Sequence, residues 1–216
     1  LGLLKMDFLG LRTLTVIKDT INLVKENRGI DVEFDQEMSD PKVYKLWQEG
    51  STSGIFQFES QGMTNFMKEL KPDCLEDLIA GVSLYRPGPM DQIPRYIRGK
   101  QNPGHNEYTH PSLEPILNVT YGCMVYQEQV MQIVRDLAGY SLGRADLVRR
   151  AMGKKKLDVM AKEREVFING QVDENGNIEV PGCVRNGIDA ESANKIFDEM
   201  AEFAKYAFNK SHAACY

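Results

Sequence analysis

The sequence predicts a mainly α-helical fold, on three observations. Apolar residues recur at three- and four-residue spacing in several separate runs. Most of these runs are bounded by Gly, Pro, Ser or Asp placed to cap or break a helix. A strong hairpin-turn dipeptide occurs at Asn175-Gly176, between Val172 and Val180, and predicts one small β-hairpin.

The elements follow in order. The opening apolar run, Leu1 to Gly10, predicts a short buried strand carrying Lys5 and Asp7 on one face. A helix follows with Leu14, Ile17, Ile21 and Val24 aligned and Gly29 past its end, then an acidic loop over 31–40. Asp40-Pro41 reads as an N-cap followed by Pro at the first helical position; Gly50 closes this helix, and Val43, Leu46 and Trp47 form its apolar side. Met63, Phe66, Met67 and Leu70 define the next helix, stopped before Pro72, and Leu75, Leu78, Ile79 and Val82 define another. Arg86-Pro-Gly-Pro89 is a rigid turn. Pro103, Gly104, Pro111 and Pro115 predict an irregular crossing over 101–120. A helix from Met124 to Leu137 turns Tyr126, Val130, Ile133, Val134 and Leu137 inward. Ser141 caps a short helix ending at Gly153, and a further helix covers about Leu157 to Ile168. Asp189 caps a last long helix that buries Ala193, Ile196, Phe197, Met200, Phe203 and Ala207.

The 216 residues, 42% of them hydrophobic, suffice for a sizeable core. No signal peptide is visible, and no apolar run reaches the roughly 18 residues of a membrane span. The four cysteines are scattered without a C-x-x-C pair, which fits reduced thiols better than disulfides or a zinc site. His105 and His110 have no companion ligands and read as surface residues. The first residue is not Met, so the chain is expected to be a piece of something longer.

Net charge is −5, but it is segregated: Arg144 to Arg164 carries eight Lys/Arg against three Asp/Glu, while Asp173 to Glu202 is strongly acidic. A local positive field attracts anions whatever the total charge. Its densest part is Arg149-Arg150-Ala-Met-Gly-Lys154-Lys155-Lys156, five cations in eight residues across a helix end. Favourable interaction with the helix dipole explains a cation or two there; five repel one another unless a polyanion such as a triphosphate or a nucleic-acid backbone neutralises them. The stretch Tyr206-Ala-Phe-Asn209-Lys210-Ser-His212 concentrates ring, amide, ammonium, hydroxyl and imidazole groups, which we place at the end of a helix. Lys5 and Asp7 alone read as an ion pair at a strand end.

Six runs then carry a resemblance: Leu4-Lys-Met-Asp-Phe-Leu-Gly-Leu-Arg-Thr-Leu14, Gly54-Ile-Phe-Gln-Phe-Glu-Ser-Gln-Gly-Met63, Leu84-Tyr-Arg-Pro-Gly-Pro-Met90, Tyr121-Gly-Cys-Met-Val-Tyr-Gln-Glu-Gln-Val-Met131, Arg149 to Lys156 and Phe208-Asn-Lys-Ser-His-Ala-Ala-Cys-Tyr216. Together, and in this order, they resemble the C-family replicative polymerases of bacteria, the alpha subunits of DNA polymerase III. The resemblance implies that residues 1–12 are the last strand of a palm similar to the polymerase β-type nucleotidyltransferase fold. It makes 13–216 a fingers domain, incomplete at its C-terminus, with a hairpin insertion at about 169–187. It implies that Asp7 is the third of three carboxylates holding two Mg²⁺, the other two lying upstream of this chain, and that Lys5 sits near the primer end or the phosphates. Arg149, Arg150, Lys154, Lys155 and Lys156 would hold the incoming triphosphate. Tyr206, Asn209, Lys210 and His212 would line the nucleotide pocket, with Arg86 a further candidate. Implied partners are primer–template DNA, deoxynucleoside triphosphates and replisome subunits such as the sliding clamp, the last through regions outside this segment. The implied setting is the bacterial cytoplasm, with no membrane, and the piece by itself is expected to be inactive. The competing expectation is a non-catalytic helical module whose Arg149–Lys156 patch grips nucleic acid or another anionic partner.

Overall fold

The computed structural model describes residues 2–3, 11–34, 37–154 and 157–216. The strand expected at the front, with Lys5 and Asp7, lies outside the described residues, and so do Lys155 and Lys156. Among the described residues the chain is mainly helical, with eleven α-helices and one two-stranded antiparallel sheet, as expected. No described helix is long and apolar enough to cross a membrane.

Local signals set most helix ends. Helix α1 (Arg12–Arg28) ends at Gly29, which adopts the left-handed conformation that glycine reaches without a Cβ penalty. α2 (Pro41–Glu49) starts where the Asp40 carboxylate accepts the Lys42 N–H, and it ends at left-handed Gly50. α3 (Gln61–Leu70) is capped by Ser60; α4 (Leu75–Leu84) runs to the Arg86-Pro-Gly-Pro turn. α5 (Ile93–Gln101) was not expected, because Pro94 and Gly99 weaken the pattern there, although Pro is tolerated in a first turn. The crossing expected to be irregular contains a short helix, α6 (Glu114–Leu117), flanked by 3₁₀ turns, and buries Leu113, Ile116 and Leu117. α7 (Gln127–Ala138), α8 (Leu142–Gly153, capped by Ser141) and α9 (Leu157–Asn169) follow. Strands β1 (Gln171–Val172) and β2 (Ile178–Val180) pair antiparallel. Their connection is not the expected two-residue turn. Asp173 accepts the N–H groups of Asn175 and Asn177 at 2.9 and 2.7 Å, which widens it to a five-residue loop over 173–177. α10 (Ala190–Phe203) is capped by Asp189, and α11 (Lys210–Cys215) by Asn209.

Two apolar clusters result. One gathers α6 to α10 and the hairpin around Val130, Ile133, Val134, Phe167, Phe197 and Met200; the other gathers α2 to α5 around Trp47, Phe66, Met67, Leu70, Ile79 and Tyr96. The extended segment before α7 divides them: Cys123, Val125 and Tyr126 enter the second cluster, while Met124 points to the first. This segment corrects the expectation that the helix begins at Met124. Val125 accepts the Phe208 N–H at 3.3 Å and Phe208 accepts the Gln127 N–H at 2.8 Å, so a strand-like pairing with a distant residue holds 124–126 extended.

Several expected faces are corrected in the same way. In α2 the buried ring beside Trp47 is Tyr44, while Val43 and Leu46 are exposed. Leu75 is exposed too, and α1 buries none of its residues: Leu14 and Ile17 on its expected face are exposed, and Ile21 and Val24 are half-buried. In α10 Phe203 is half-buried, and Ala207 lies beyond the helix end. Helical periodicity selects a face; whether another element covers that face is a tertiary matter.

Candidate nucleotide-binding site

The segment 204–209 is where the two clusters and half of the expected site residues meet. Contrary to expectation, Tyr206 to His212 is not the end of a helix. α10 stops at Phe203, Ala207–Phe208 runs alongside Val125–Tyr126, and Asn209 begins a new helix by accepting the His212 N–H at 2.8 Å. The polar residues fall on a connector because its backbone groups bond to other segments. Arg86 donates to the Tyr206 carbonyl at 2.8 Å and to the Ser83 carbonyl at 2.9 Å, and its guanidinium lies 4.1 Å from the Phe208 ring centre. Burial lowers the Arg86 pKa from its ordinary value, since the charged form is the one desolvated. Gly88, at φ +104°, lets the Arg-Pro-Gly-Pro turn press against the Tyr206 ring: a Cβ there would fall 2.4 Å from ring carbon Cδ1.

Two neighbours at the start of α7 hold the connector from the other side. Gln127 donates from Nε2 to the Ala207 carbonyl at 3.1 Å, and its Oε1 accepts Arg149 Nη1 at 3.0 Å. The Glu128 carboxylate accepts the Asn209 side-chain amide at 2.7 Å and the Lys210 N–H at 3.1 Å. The Lys210 ammonium reaches Glu76 at 2.8 Å. The His212 ring packs against Phe208 and Tyr216, with centroid distances of 5.5 and 4.8 Å. Arg86, Phe208, His212 and Tyr216 border a cleft of about 420 Å³.

The basic run is less free than its sequence implies. Asp146, one helical turn earlier on α8, accepts Arg149 Nη2 at 2.7 Å through one oxygen and Arg150 Nε at 2.7 Å through the other. The Arg149 hydrogen bond is the chief reason that the Asp146 carboxyl titrates below its usual value of 3.8. Arg149 is one-fifth exposed and Arg150 62% exposed, so the first is oriented and the second reaches into solvent. Arg149 has three of its N–H donors engaged and a guanidinium carries five, so two remain for another anion. Lys154 caps the end of α8, and Gly153 beside it lies close to the Ala204 carbonyl at the start of the connector.

The structure thus gathers Arg86, Arg149, Tyr206, Asn209, Lys210 and His212 around one connector. It puts Arg150 and Lys154 on the adjoining end of α8 and leaves Lys5, Asp7, Lys155 and Lys156 outside the described residues. Sequence reasoning passed over Gln127, Glu128, Glu76 and Asp146. Asp146 had a signal, since residues three and four apart on a helix are neighbours; the others act across 80 residues or more and had none. A separate cluster of possible metal ligands, Asp73, Cys74 and Asp77, has its ligand atoms within 4.8 Å of one another. The Lys100 ammonium lies 2.7 Å from both of its carboxylates, so the place a metal cation would take is held by a resident side-chain cation.

Residues 13–175 match the family described as the bacterial DNA polymerase III alpha subunit finger domain. The chain is 51% identical over its whole length to DNA polymerase III subunit alpha of Thermus aquaticus, 47% to that of Aquifex aeolicus and 48% to that of Pseudomonas aeruginosa. It spans 17–18% of the length of these relatives. With most of its residues inside the family match and every residue inside these alignments, the chain belongs to the bacterial DNA polymerase III alpha subunit finger-domain family.

Proposed function

We propose that the parent protein is a DNA-directed DNA polymerase acting on primer–template DNA and deoxynucleoside triphosphates in the bacterial cytoplasm. In this reading residues 1–12 close the palm, and 13–216 are the fingers that grasp the triphosphate. The observation that carries it is the hydrogen-bonded link between Arg149 and the 206–212 segment through Gln127. A basic helix end and a strip of polar and aromatic groups far apart in sequence are thereby held side by side.

Chemistry assigns the roles. Nucleotide addition moves negative charge onto the leaving pyrophosphate, which preorganised cations stabilise in proportion to how little they must move. Arg149, fixed by Asp146 and Gln127, supplies a preset guanidinium; Arg150 and Lys154 add charge from the solvent side. Tyr206 and His212 offer ring faces for the sugar and base, while Asn209, Lys210 and Arg86 keep the connector that carries those rings in shape. Asp7, with two carboxylates from elsewhere in the parent, has the hard oxygen chemistry that holds Mg²⁺, and Lys5 stands two residues before it. When bound, two such ions stabilise the attacking and leaving oxygens.

In the full-length protein, Asp7→Asn is expected to abolish primer extension while leaving DNA binding intact, and near-normal extension removes Asp7 from the mechanism. Arg149→Glu with Arg150→Glu is expected to raise the nucleotide KM or lower kcat. If it weakens only DNA binding and its salt dependence, the binding-module alternative is correct instead.

A further inference from the structure

We infer that Gln127 is a positioning residue for the triphosphate: its side-chain amide sets Arg149 relative to the nucleotide-facing connector. The inference rests on the triphosphate role proposed for Arg149. Its geometry suits an amide. Arg149 Nη1 can only donate and the Ala207 carbonyl can only accept, so the group between them must accept on one side and donate on the other. This also fixes which end of the amide is oxygen. The backbone N–H of the same residue donates to the Phe208 carbonyl at 2.8 Å, so one residue fastens both the connector and the guanidinium. Asp146 holds Arg149 to its own helix, whereas Gln127 alone ties it to Ala207 among the described contacts.

The test is a double-mutant cycle in the full-length polymerase, by single-nucleotide incorporation on a primed template with active sites titrated. Gln127→Met, which keeps the reach and removes both polar groups, is expected to raise the dNTP KM about tenfold, the size of one lost hydrogen bond to a charged group. Its kcat and primer–template affinity stay within about twofold. Arg149→Ala raises KM further. In that background Gln127→Met changes KM by less than about twofold, because the group it positions is gone. A merely structural role lowers the titrated fraction of active sites and leaves KM unmoved, and that result overturns the inference. So does a tenfold effect that persists in the Arg149→Ala background. If Arg149→Ala itself leaves KM unchanged, the triphosphate reading has failed and the inference with it, which the single variant alone reveals. Should Gln127→Met yield too little folded protein, Gln127→Asn, which retains the amide one methylene short, is put through the same cycle and judged by the same two criteria.

Discussion

Replacement of Lys100 by Met tests the reasoning about buried charge most directly. Asp77 has a side chain 1% exposed, and its carboxylate accepts Lys100 Nζ at 2.7 Å, the Tyr121 hydroxyl at 3.1 Å, the Asp73 N–H at 3.2 Å and the Tyr96 hydroxyl at 3.5 Å. Lys100 contributes the only formal positive charge in that set, and its own side chain is 11% exposed. Lys100→Met preserves the stem and deletes the ammonium, leaving three neutral donors facing a buried anion. Breaking one partner of such a pair costs about 3–5 kcal/mol, because the survivor is desolvated and uncompensated. Trp47 is the only tryptophan and lies in the same apolar cluster as Tyr96 and Ile79, so its fluorescence follows this region through urea unfolding. The expected result is a large fall in midpoint with little change in slope. Adding Asp77→Asn to Lys100→Met should recover a good part of the loss by removing the stranded charge. A cost below about 1 kcal/mol for Lys100→Met, or no recovery in the double variant, would refute the account, since a pair worth that little behaves as a surface one.

The same cluster sets an alkaline limit. Burial pulls the Lys100 pKa down, but the hydrogen bonds from its ammonium to Asp73 and Asp77 and the attraction of the Asp77 charge together raise it above its usual 10.5, and burial lifts Tyr121 from 10.0 to about 12. A group whose folded pKa is raised lends stability that is whole below its unfolded value and is lost as pH rises through the folded one. The urea midpoint should therefore fall from about pH 10 upward, and less steeply in Lys100→Met. Gly88→Ala should cost more than Gly176→Ala in the same assay. Both positions have positive φ, worth about 1–2 kcal/mol of strain for an L-residue, but only at Gly88 does the new methyl meet a ring. Equal costs would mean that Tyr206 yields freely. Asn209→Ala removes an N-cap and should cost about 1 kcal/mol, seen as faster hydrogen exchange at the His212 amide; unchanged exchange would show that Glu128 alone holds the start of α11.

What the sequence determined by itself is what depends on near neighbours. Asp40-Pro41, Ser141 and Asp189 start helices because a side-chain oxygen meets an amide two or three residues on, and Gly29 and Gly50 end them because the left-handed turn suits glycine. The basic run after Arg149 and the polar stretch after Tyr206 were likewise visible, as were the six motifs that tie the chain to its family. Tertiary structure alone decided which of these features meet. Tyr126 stays extended because Phe208 bonds to the residues on either side of it, Val43 and Leu46 face solvent because Tyr44 and Trp47 take the covered side, and Asp77 finds Lys100 across a gap no periodicity spans. The site follows the second rule. Gln127 joins a helix end to a connector 80 residues away, and such a contact leaves no mark in the sequence around either partner, because it is made by how whole helices pack and not by how a single turn of chain closes.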